Sequence, residues 1–212
     1  MCAMITRIEA AGPERRARRL VFDDGCEARE VSSSVCRELA LQEGQQVDPA
    51  ALEESIRAIE VRLAKARALQ LLGYRERSEA ELTSKLRASG YPPDVASSVV
   101  ARFVDVELVD DRRFAFAFAR SKAASGYGDR RIARELKARG IPEALLEEVL
   151  ATFDPSSDEL SRARSAMRGR IPADASQARK LVRRLVARGF DLSVAIKAVE
   201  SRGDFDEPAP YT

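Results

Sequence analysis

The chain has 212 residues, 45% of them hydrophobic and 33% charged, a balance that is typical of a folded protein and excludes a disordered one. It contains 36 Lys and Arg against 34 Asp and Glu, and no His, so the commonest general base and metal ligand is missing. The three cysteines form no CxxC pair, which is typical of free thiols in a reducing compartment. With no apolar run long enough for a bilayer and no secretory leader, we expect a cytoplasmic protein.

The N-terminal 47 residues contain short, partly alternating apolar runs at 4–9, 16–23 and 26–31. Alternation with a period of two predicts β-strands. We expect a small three-stranded antiparallel meander, followed by a short helix near 33–40. A sheet of this size is marginal alone and has to pack against the helical part of the chain.

One pattern recurs three times in the rest of the chain. Two Leu or Ile residues four positions apart are followed by a glycine and then by a large apolar residue, and the glycines are Gly90, Gly140 and Gly189. The apolar pair lies on one face of a helix, and glycine is favoured at the left-handed position that ends it. Because the glycines lie 50 and then 49 residues apart, the pattern predicts a tandem array of helical units.

Helix start signals support three helices in each unit. Ser78 with Glu81 forms a capping box, as does Ser156 with Glu159, and Asp48 precedes a proline at a favoured first helical position. The predicted helices are 49–73, 78–89 and 92–107, then 110–125, 128–139 and 142–153, then 157–169, 174–188 and 191–202.

The predicted fold is therefore mainly α, a tandem array of three three-helix modules behind a small antiparallel β meander. Alternating blocks of opposite charge indicate an extended molecule. The predicted segments are a β-rich extension (1–47), module 1 (48–109), module 2 (110–154), module 3 (155–203) and an acidic tail (204–212).

The segment "FAFAFA" at 114–119 alternates like a strand, but alanine favours a helix and the flanks are helical. In a helix, Phe114 and Phe118 share a face and Phe116 points elsewhere. We expect these rings to be packed between neighbouring units. The alternative is an exposed aromatic anchor for a partner.

The middle helices of modules 2 and 3 are predicted to carry one apolar and one basic face. A rotation of about 100° per residue places the cations of each helix opposite its apolar residues, which are Ile132 and Leu136 in module 2 and Leu181, Val182, Leu185 and Val186 in module 3. Such faces could join into one cationic surface for phosphates or carboxylates. The candidate partner-binding residues are Arg130, Arg134, Lys137, Arg179, Lys180, Arg183, Arg184 and Arg188.

A solvated helix surface is the alternative to a binding face. In module 2, Glu135 lies four positions from both Arg131 and Arg139, and such pairs stabilise an exposed helix by a few tenths of a kcal/mol. Both interpretations stay open there. From 160 to 203 there are eleven Lys and Arg against three acids, an excess that favours a partner for module 3.

Catalysis and cofactor binding are not expected. The cysteine spacing offers no zinc site, and no phosphate-binding or dinucleotide-binding fingerprint is present. Asp110 and Asp111 are adjacent carboxylates, but neighbours in sequence diverge on a helix, so we interpret them as helix-capping residues. We expect neither a metal, nor a cofactor, nor a small-molecule substrate.

The segments "RSEAEL" (77–82), "DDRRFA" (110–115) and "GDRRIARELKARGI" (128–141) resemble, in content, order and spacing, those of the RecX family, regulators of the bacterial recombinase RecA. The resemblance covers nearly the whole chain except the tail. It implies an elongated, curved, non-catalytic protein that binds the RecA filament on single-stranded DNA, in its groove or at its growing end. It also implies restraint of filament extension, strand exchange and ATP hydrolysis in DNA repair.

Two other functions stay open. Three-helix units also resemble helix-turn-helix domains, so the chain could bind DNA directly. The basic faces offer almost no Asn or Gln for base edges, so such binding would be weak, salt-sensitive and unspecific. A scaffold for an unrelated protein is the third class.

Overall fold

The computed structural model is mainly helical, with a small antiparallel sheet near the N-terminus. The chain divides into two compact units, residues 1–110 and 111–212. The residues that the structure describes are 2–11, 17–23, 27–152 and 159–201.

The N-terminal sheet has four antiparallel strands in the order β3-β2-β1-β4. The predicted meander is confirmed as β1 (Ala3–Ala11), β2 (Ala17–Phe22) and β3 (Arg29–Ser32), which α1 (Ser33–Glu38) follows directly. The fourth strand, β4 (Gln46–Val47), pairs with β1 and was not predicted. Two residues are too few to display an alternating pattern, so only the pairing reveals this strand.

The sheet packs against α2 (Pro49–Tyr74), the long helix that follows it. Leu20 of β2, Val31 of β3 and Ile56 of α2 belong to one buried cluster. Further along, α2 contributes Ala64 to the core of module 1. The helix α2 therefore contributes to two hydrophobic cores. A sheet of this size is not stable alone, and packing against α2 buries its apolar face.

Three successive triplets of helices are formed, and each triplet has its own buried apolar cluster. The predicted boundaries that fall on described residues agree with the observed ones to within about three residues, whereas the predicted ends at 153 and 202 and the predicted start at 157 lie outside the described residues. Module 1 contains α2, α3 (Glu79–Ala88) and α4 (Pro93–Asp105), module 2 contains α5 (Asp111–Ala124), α6 (Asp129–Lys137) and α7 (Glu143–Thr152), and module 3 contains α8 (Glu159–Ala166), α9 (Ala175–Ala187) and α10 (Leu192–Glu200).

The middle helix of every triplet ends in the same way. Gly90, Gly140 and Gly189 have φ angles of 93°, 80° and 93°, the left-handed region that glycine adopts without strain. The N–H that follows each glycine donates to the carbonyl five residues earlier, as in a Schellman motif. These bonds run from Tyr91 to Leu86 (3.4 Å), from Ile141 to Leu136 (3.2 Å) and from Phe190 to Leu185 (3.2 Å).

The predicted start of α3 is confirmed. Ser78 is fully buried, and its hydroxyl oxygen accepts a hydrogen bond of 3.1 Å from the N–H of Glu81. The Glu81 carboxylate also accepts two hydrogen bonds from the Arg75 guanidinium, at 3.0 and 3.1 Å. In module 2, α5 begins at Asp111, immediately after Asp110.

The aromatic segment of α5 is helical and packed, as predicted, but its rings lie in the core of module 2 and not between neighbouring units. Phe114 is buried, and its ring stacks on that of Phe118 with centroids 5.9 Å apart. Phe116 is half-buried against the same core, with the Arg112 guanidinium 5.6 Å from its ring centroid. The interpretation of this segment as an exposed anchor is therefore wrong.

Candidate basic interface of modules 2 and 3

Four cations of α9, which we call the α9 basic face, lie exposed along two turns of the helix: Arg179, Lys180, Arg183 and Arg184. On the other side, Leu185 is buried while Leu181 and Val182 pack against the core of module 3. Val186 stays 39% exposed, so the apolar face is narrower than predicted. None of the four cations forms an ion pair or a side-chain hydrogen bond with any residue that the structure describes. Their charge is open to an external anion.

The three predicted cations of α6 are also exposed, but acids neutralise two of them. Arg130 forms an ion pair of 2.6 Å with Asp191 at the start of α10, and Lys137 forms one of 2.8 Å with Glu143. Arg134 has no ion-pair partner in the described part of the chain. The apolar residues opposite these cations are buried, as predicted: Ile132 and Leu136.

Glu135 of α6 is surrounded by three cations. Its carboxylate lies 2.7 Å from Lys122, 2.9 Å from Arg131 and 3.9 Å from Arg139. The hydrogen bond from Lys122 is the largest cause that lowers the pKa of Glu135 below its ordinary value, and that from Arg131 adds to it. The two predicted i, i+4 pairs are thus present, so these particular cations belong to the internal structure of module 2.

Two aromatic rings complete the network around Glu135. Lys122 Nζ lies 5.1 Å from the ring centroid of Phe118 and 5.3 Å from that of Tyr127. The Arg131 guanidinium lies 4.2 Å from the Tyr127 ring, and that of Arg139 lies 4.5 Å from the Phe118 ring. Each ring therefore has two cations against it, an arrangement that holds the end of α5 on α6.

Backbone hydrogen bonds join modules 2 and 3 where α6 begins and α9 ends. The N–H of Gly128 donates to the carbonyl of Arg188, and the N–H of Arg130 donates to the carbonyl of Gly189, both at 3.1 Å. A Cβ on Gly128 would lie within 3.0 Å of backbone atoms of Phe190 and Gly189. Only glycine permits this approach.

A half-buried carboxylate reinforces the same junction. The Glu159 side chain of α8 accepts hydrogen bonds from the N–H of Asp129 (3.2 Å) and of Asp191 (3.4 Å). Arg162 forms an ion pair of 2.7 Å with Asp129. Burial raises the pKa of Glu159 above its ordinary value. The predicted capping box pairs Glu159 with Ser156, which lies outside the described residues. Among the described residues, Glu159 joins the starts of α6 and α10.

Arg188 was predicted to bind a partner together with the cations of α9. It is the C-cap residue of that helix and does not belong to the exposed α9 basic face. It is half-buried, and a Cβ on Gly126 would meet its Nη1 at 3.1 Å. The side chain therefore packs against the turn after α5 and enters a cleft within the second compact unit.

Within the described ranges, no three His, Cys, Asp or Glu side chains are grouped as a metal ion would require. Among the helices described, none has the length and apolar character needed to cross a membrane. Cys2 and Cys36 are free thiols, whereas Cys26 lies outside the described residues.

Two models of protein families match the chain: the first three-helix domain of RecX over residues 64–103 and the second over residues 110–150. The curated regulatory protein RecX of Halorhodospira halophila is 35% identical over 148 residues, which cover 68% of this chain and 91% of that protein. RecX of Mycolicibacterium vanbaalenii is 35% identical over 164 residues, 72% of this chain and 88% of the relative. RecX of Xanthomonas citri is 41% identical over 129 residues, 59% and 78% of the two chains.

Solved structures are similar as well. A crystal structure of regulatory protein RecX aligns with a TM-score of 0.60 at 25% identity and covers 92% of this chain and 98% of that chain. The crystal structure of RecX from Lactobacillus salivarius aligns with a TM-score of 0.59 at 20% identity, over 68% of this chain and 97% of its own. The second likeness is one of fold.

Proposed function

The chain belongs to the RecX family of regulatory proteins, and from that premise we propose that it binds the RecA filament on single-stranded DNA. We further propose that binding restrains filament extension, strand exchange and ATP hydrolysis. The observation that carries the proposal is the α9 basic face: four exposed cations without an acidic partner among the described residues.

Such a face is electrostatically unfavourable until an anion occupies it. Arg179 with Arg183, and Lys180 with Arg184, are like charges four positions apart, and each such pair destabilises a helix by a few tenths of a kcal/mol. A filament on DNA offers regularly repeated phosphates and surface carboxylates. The planar guanidinium pairs with either in bidentate geometry.

The junction of modules 2 and 3 supports the same function because it holds their cations at a constant spacing. Gly128 and Arg188 are joined through backbone, and Glu159 bridges the starts of two helices. Cations that are held at fixed positions can bind a repeating polymer without the loss of conformational entropy that flexible ones would undergo. Arg134, exposed on α6, extends the candidate surface.

Direct binding of duplex DNA is the second candidate, since α9 is an exposed basic helix within a three-helix unit. Gln177, the amide side chain on α9, is engaged locally: it accepts from the N–H of Ala173 at 3.2 Å and donates to Asp174 at 3.3 Å. The exposed cations that remain suit phosphates better than base edges. This candidate therefore predicts contact without sequence preference and with steep salt dependence.

The two candidates separate in one assay. The protein is added in substoichiometric amounts to RecA, single-stranded DNA and ATP, and ATP hydrolysis is followed. The proposal predicts a lower rate, because each bound molecule restrains many filament subunits. An unchanged rate, together with tight binding of naked duplex at physiological salt, would favour direct DNA binding instead.

A further inference from the structure

A cleft of about 400 Å³ lies within the second compact unit, between the last turn of α5, the helix α8 and the cap residue of α9. Its volume falls in the range of roughly 300–1,000 Å³ that is usual for small-ligand sites. No acidic side chain occurs among the described residues that line it, whereas four arginines do: Arg120, Arg162, Arg168 and Arg188.

Among the described residues, an acid neutralises only one of these arginines. Arg162 has 10% of its side chain exposed and pairs with Asp129 at 2.7 Å. Arg120, Arg168 and Arg188 form no ion pair with an acid in the described part of the chain. Three arginines without an acidic partner among the described residues therefore line one cleft, and this concentration of like charge is unfavourable unless an anion enters.

The cleft has room for such an anion because small residues form part of its wall. Ala123, Ala124 and Ala166 line it beside the arginines. Gly126 has a φ of +79° and no side chain. A Cβ at this position would lie 3.1 Å from Arg188 Nη1, so the absence of a side chain leaves space for the Arg188 guanidinium. Arg188 is thereby brought to the cleft from the end of a different module.

We propose that this cleft binds a phosphate group. The two oxygens of a carboxylate lie in one plane, whereas the oxygens of a phosphate group point away from phosphorus in tetrahedral directions and suit arginines that come from different helices. The hydroxyls of Ser125 and Ser165 donate to the carbonyls of Ser121 and Ser161, so the arginines are the donors for the ligand. The phosphate is a phosphodiester of a single-stranded nucleic acid or belongs to a free phosphate compound. Neither source requires the recombinase of the proposed function.

The test uses the full chain with the double variant Arg120→Gln, Arg168→Gln, which leaves Arg162 and the junction intact. Binding of inorganic phosphate is measured by calorimetry, and binding of labelled oligothymidylate by fluorescence anisotropy. For whichever of the two probes binds in the cleft, we expect the variant to raise the dissociation constant at least about tenfold, because charged hydrogen bonds are removed. If the oligonucleotide is the ligand, the slope of the logarithm of its binding constant against the logarithm of the salt concentration should also fall in magnitude by about one to two.

The control is Arg87→Gln, Arg170→Gln, which removes the same charge from exposed residues outside the cleft. Binding of phosphate but not of the oligonucleotide, weakened in the cleft variant, identifies a free phosphate compound as the source. Oligonucleotide binding that the cleft variant weakens and that phosphate competes with identifies the phosphodiester. Equal losses in both variants, or wild-type affinity for both probes in the cleft variant, would overturn the proposal.

A second variant approaches the cleft from its wall. Ser165→Asp places a carboxylate beside the arginines, and we expect the same loss of affinity as in the double variant. Ser84→Asp adds the same charge to an exposed position on α3 and should bind as the wild type does. Unaltered affinity in Ser165→Asp would also contradict a phosphate site, and thermal melting verifies that every variant is folded.

Discussion

The backbone N–H of Gly128 donates a hydrogen bond of 3.1 Å to the carbonyl oxygen of Arg188. This bond joins the start of α6 to the end of α9 across 60 residues of chain. A Cβ on Gly128 would collide with the backbone of Phe190 and Gly189, and no change of side-chain rotamer relieves a collision with backbone. The position of module 3 relative to module 2 therefore depends on the absence of a side chain at one residue.

The substitution Gly128→Ala should separate these two modules. We expect a loss of about 2 kcal/mol or more in the free energy of unfolding, the usual cost of overpacking a rigid site, and weaker filament inhibition. The control is Gly73→Ala in α2, where a Cβ meets nothing within 4 Å and alanine favours the helix. Chemical denaturation of both variants tests this, and equal stability of the two would show that the junction tolerates a methyl group.

The carboxylate of Glu135 should stabilise module 2 only while it is ionised. Its pKa is lowered by its cationic partners, so its contribution is present above the unfolded-state value of 4.5 and is lost as the pH falls through the native value. We expect Glu135→Gln to cost about 1 kcal/mol at pH 7, a modest figure because the side chain keeps some contact with solvent. Thermal melting of Glu135→Gln between pH 3 and 8 is the measurement.

Glu147→Gln, on the exposed side of α7, is the matched control for Glu135→Gln. The melting curves of wild type and Glu135→Gln should converge in acid, while the control follows the wild type throughout. A deficit of Glu135→Gln that is the same at every pH would mean that its charge is not what stabilises the network.

Glu60 presents the opposite case in the first compact unit. Its side chain is fully buried on α2, 3.5 Å from Arg29 of β3. Its pKa is raised to about 7, chiefly by burial and in part by the nearby charges of Glu53 and Asp94, against the attraction of Arg29. A carboxylate whose native pKa exceeds the unfolded value of 4.5 stabilises the fold below that value, and the effect disappears as the pH rises through 7.

We therefore expect the wild type to lose about 3 kcal/mol of unfolding free energy between pH 4.5 and 8 through this one group, at roughly 1.4 kcal/mol per pKa unit. Glu60→Gln should abolish that loss, since the amide cannot ionise and Arg29 keeps Glu53 as a partner at 2.9 Å. Denaturation at several pH values measures it. Glu54→Gln, exposed on the same helix, should retain the wild-type profile; if Glu60→Gln does so too, Glu60 does not titrate in this range.

Local features of the fold were predictable because they depend on residues close in sequence. Gly90, Gly140 and Gly189 follow helical apolar pairs, and this spacing alone indicates where three helices end. The cap at Ser78 and the packed face of Phe114 and Phe118 follow from the same short-range rules.

Contacts between modules were not predictable in this way. In the sequence, Gly128 looks like an ordinary turn residue. Only the close contact between its backbone and that of Gly189 in the structure explains why the position requires glycine. Glu159 looks like a helix-start residue but bonds to two other helices, and Arg130 finds Asp191 about 60 residues away. Such pairings depend on how the modules pack, so the sequence identified the cations of α6 without showing which of them an acid neutralises.

The proposed binding of the RecA filament depends most directly on the α9 basic face. Its four residues, Arg179, Lys180, Arg183 and Arg184, are changed together to Glu, and inhibition of RecA ATP hydrolysis on single-stranded DNA is titrated. The control changes four exposed cations elsewhere to Glu: Lys65, Lys85, Arg87 and Lys197. Circular dichroism verifies that both variants are folded.

We predict that reversal of the α9 basic face raises the concentration needed for half-inhibition at least about tenfold, because attraction to the filament becomes repulsion, and that the control stays within about twofold of the wild type. Undiminished inhibition by the variant with the reversed α9 basic face would contradict the account.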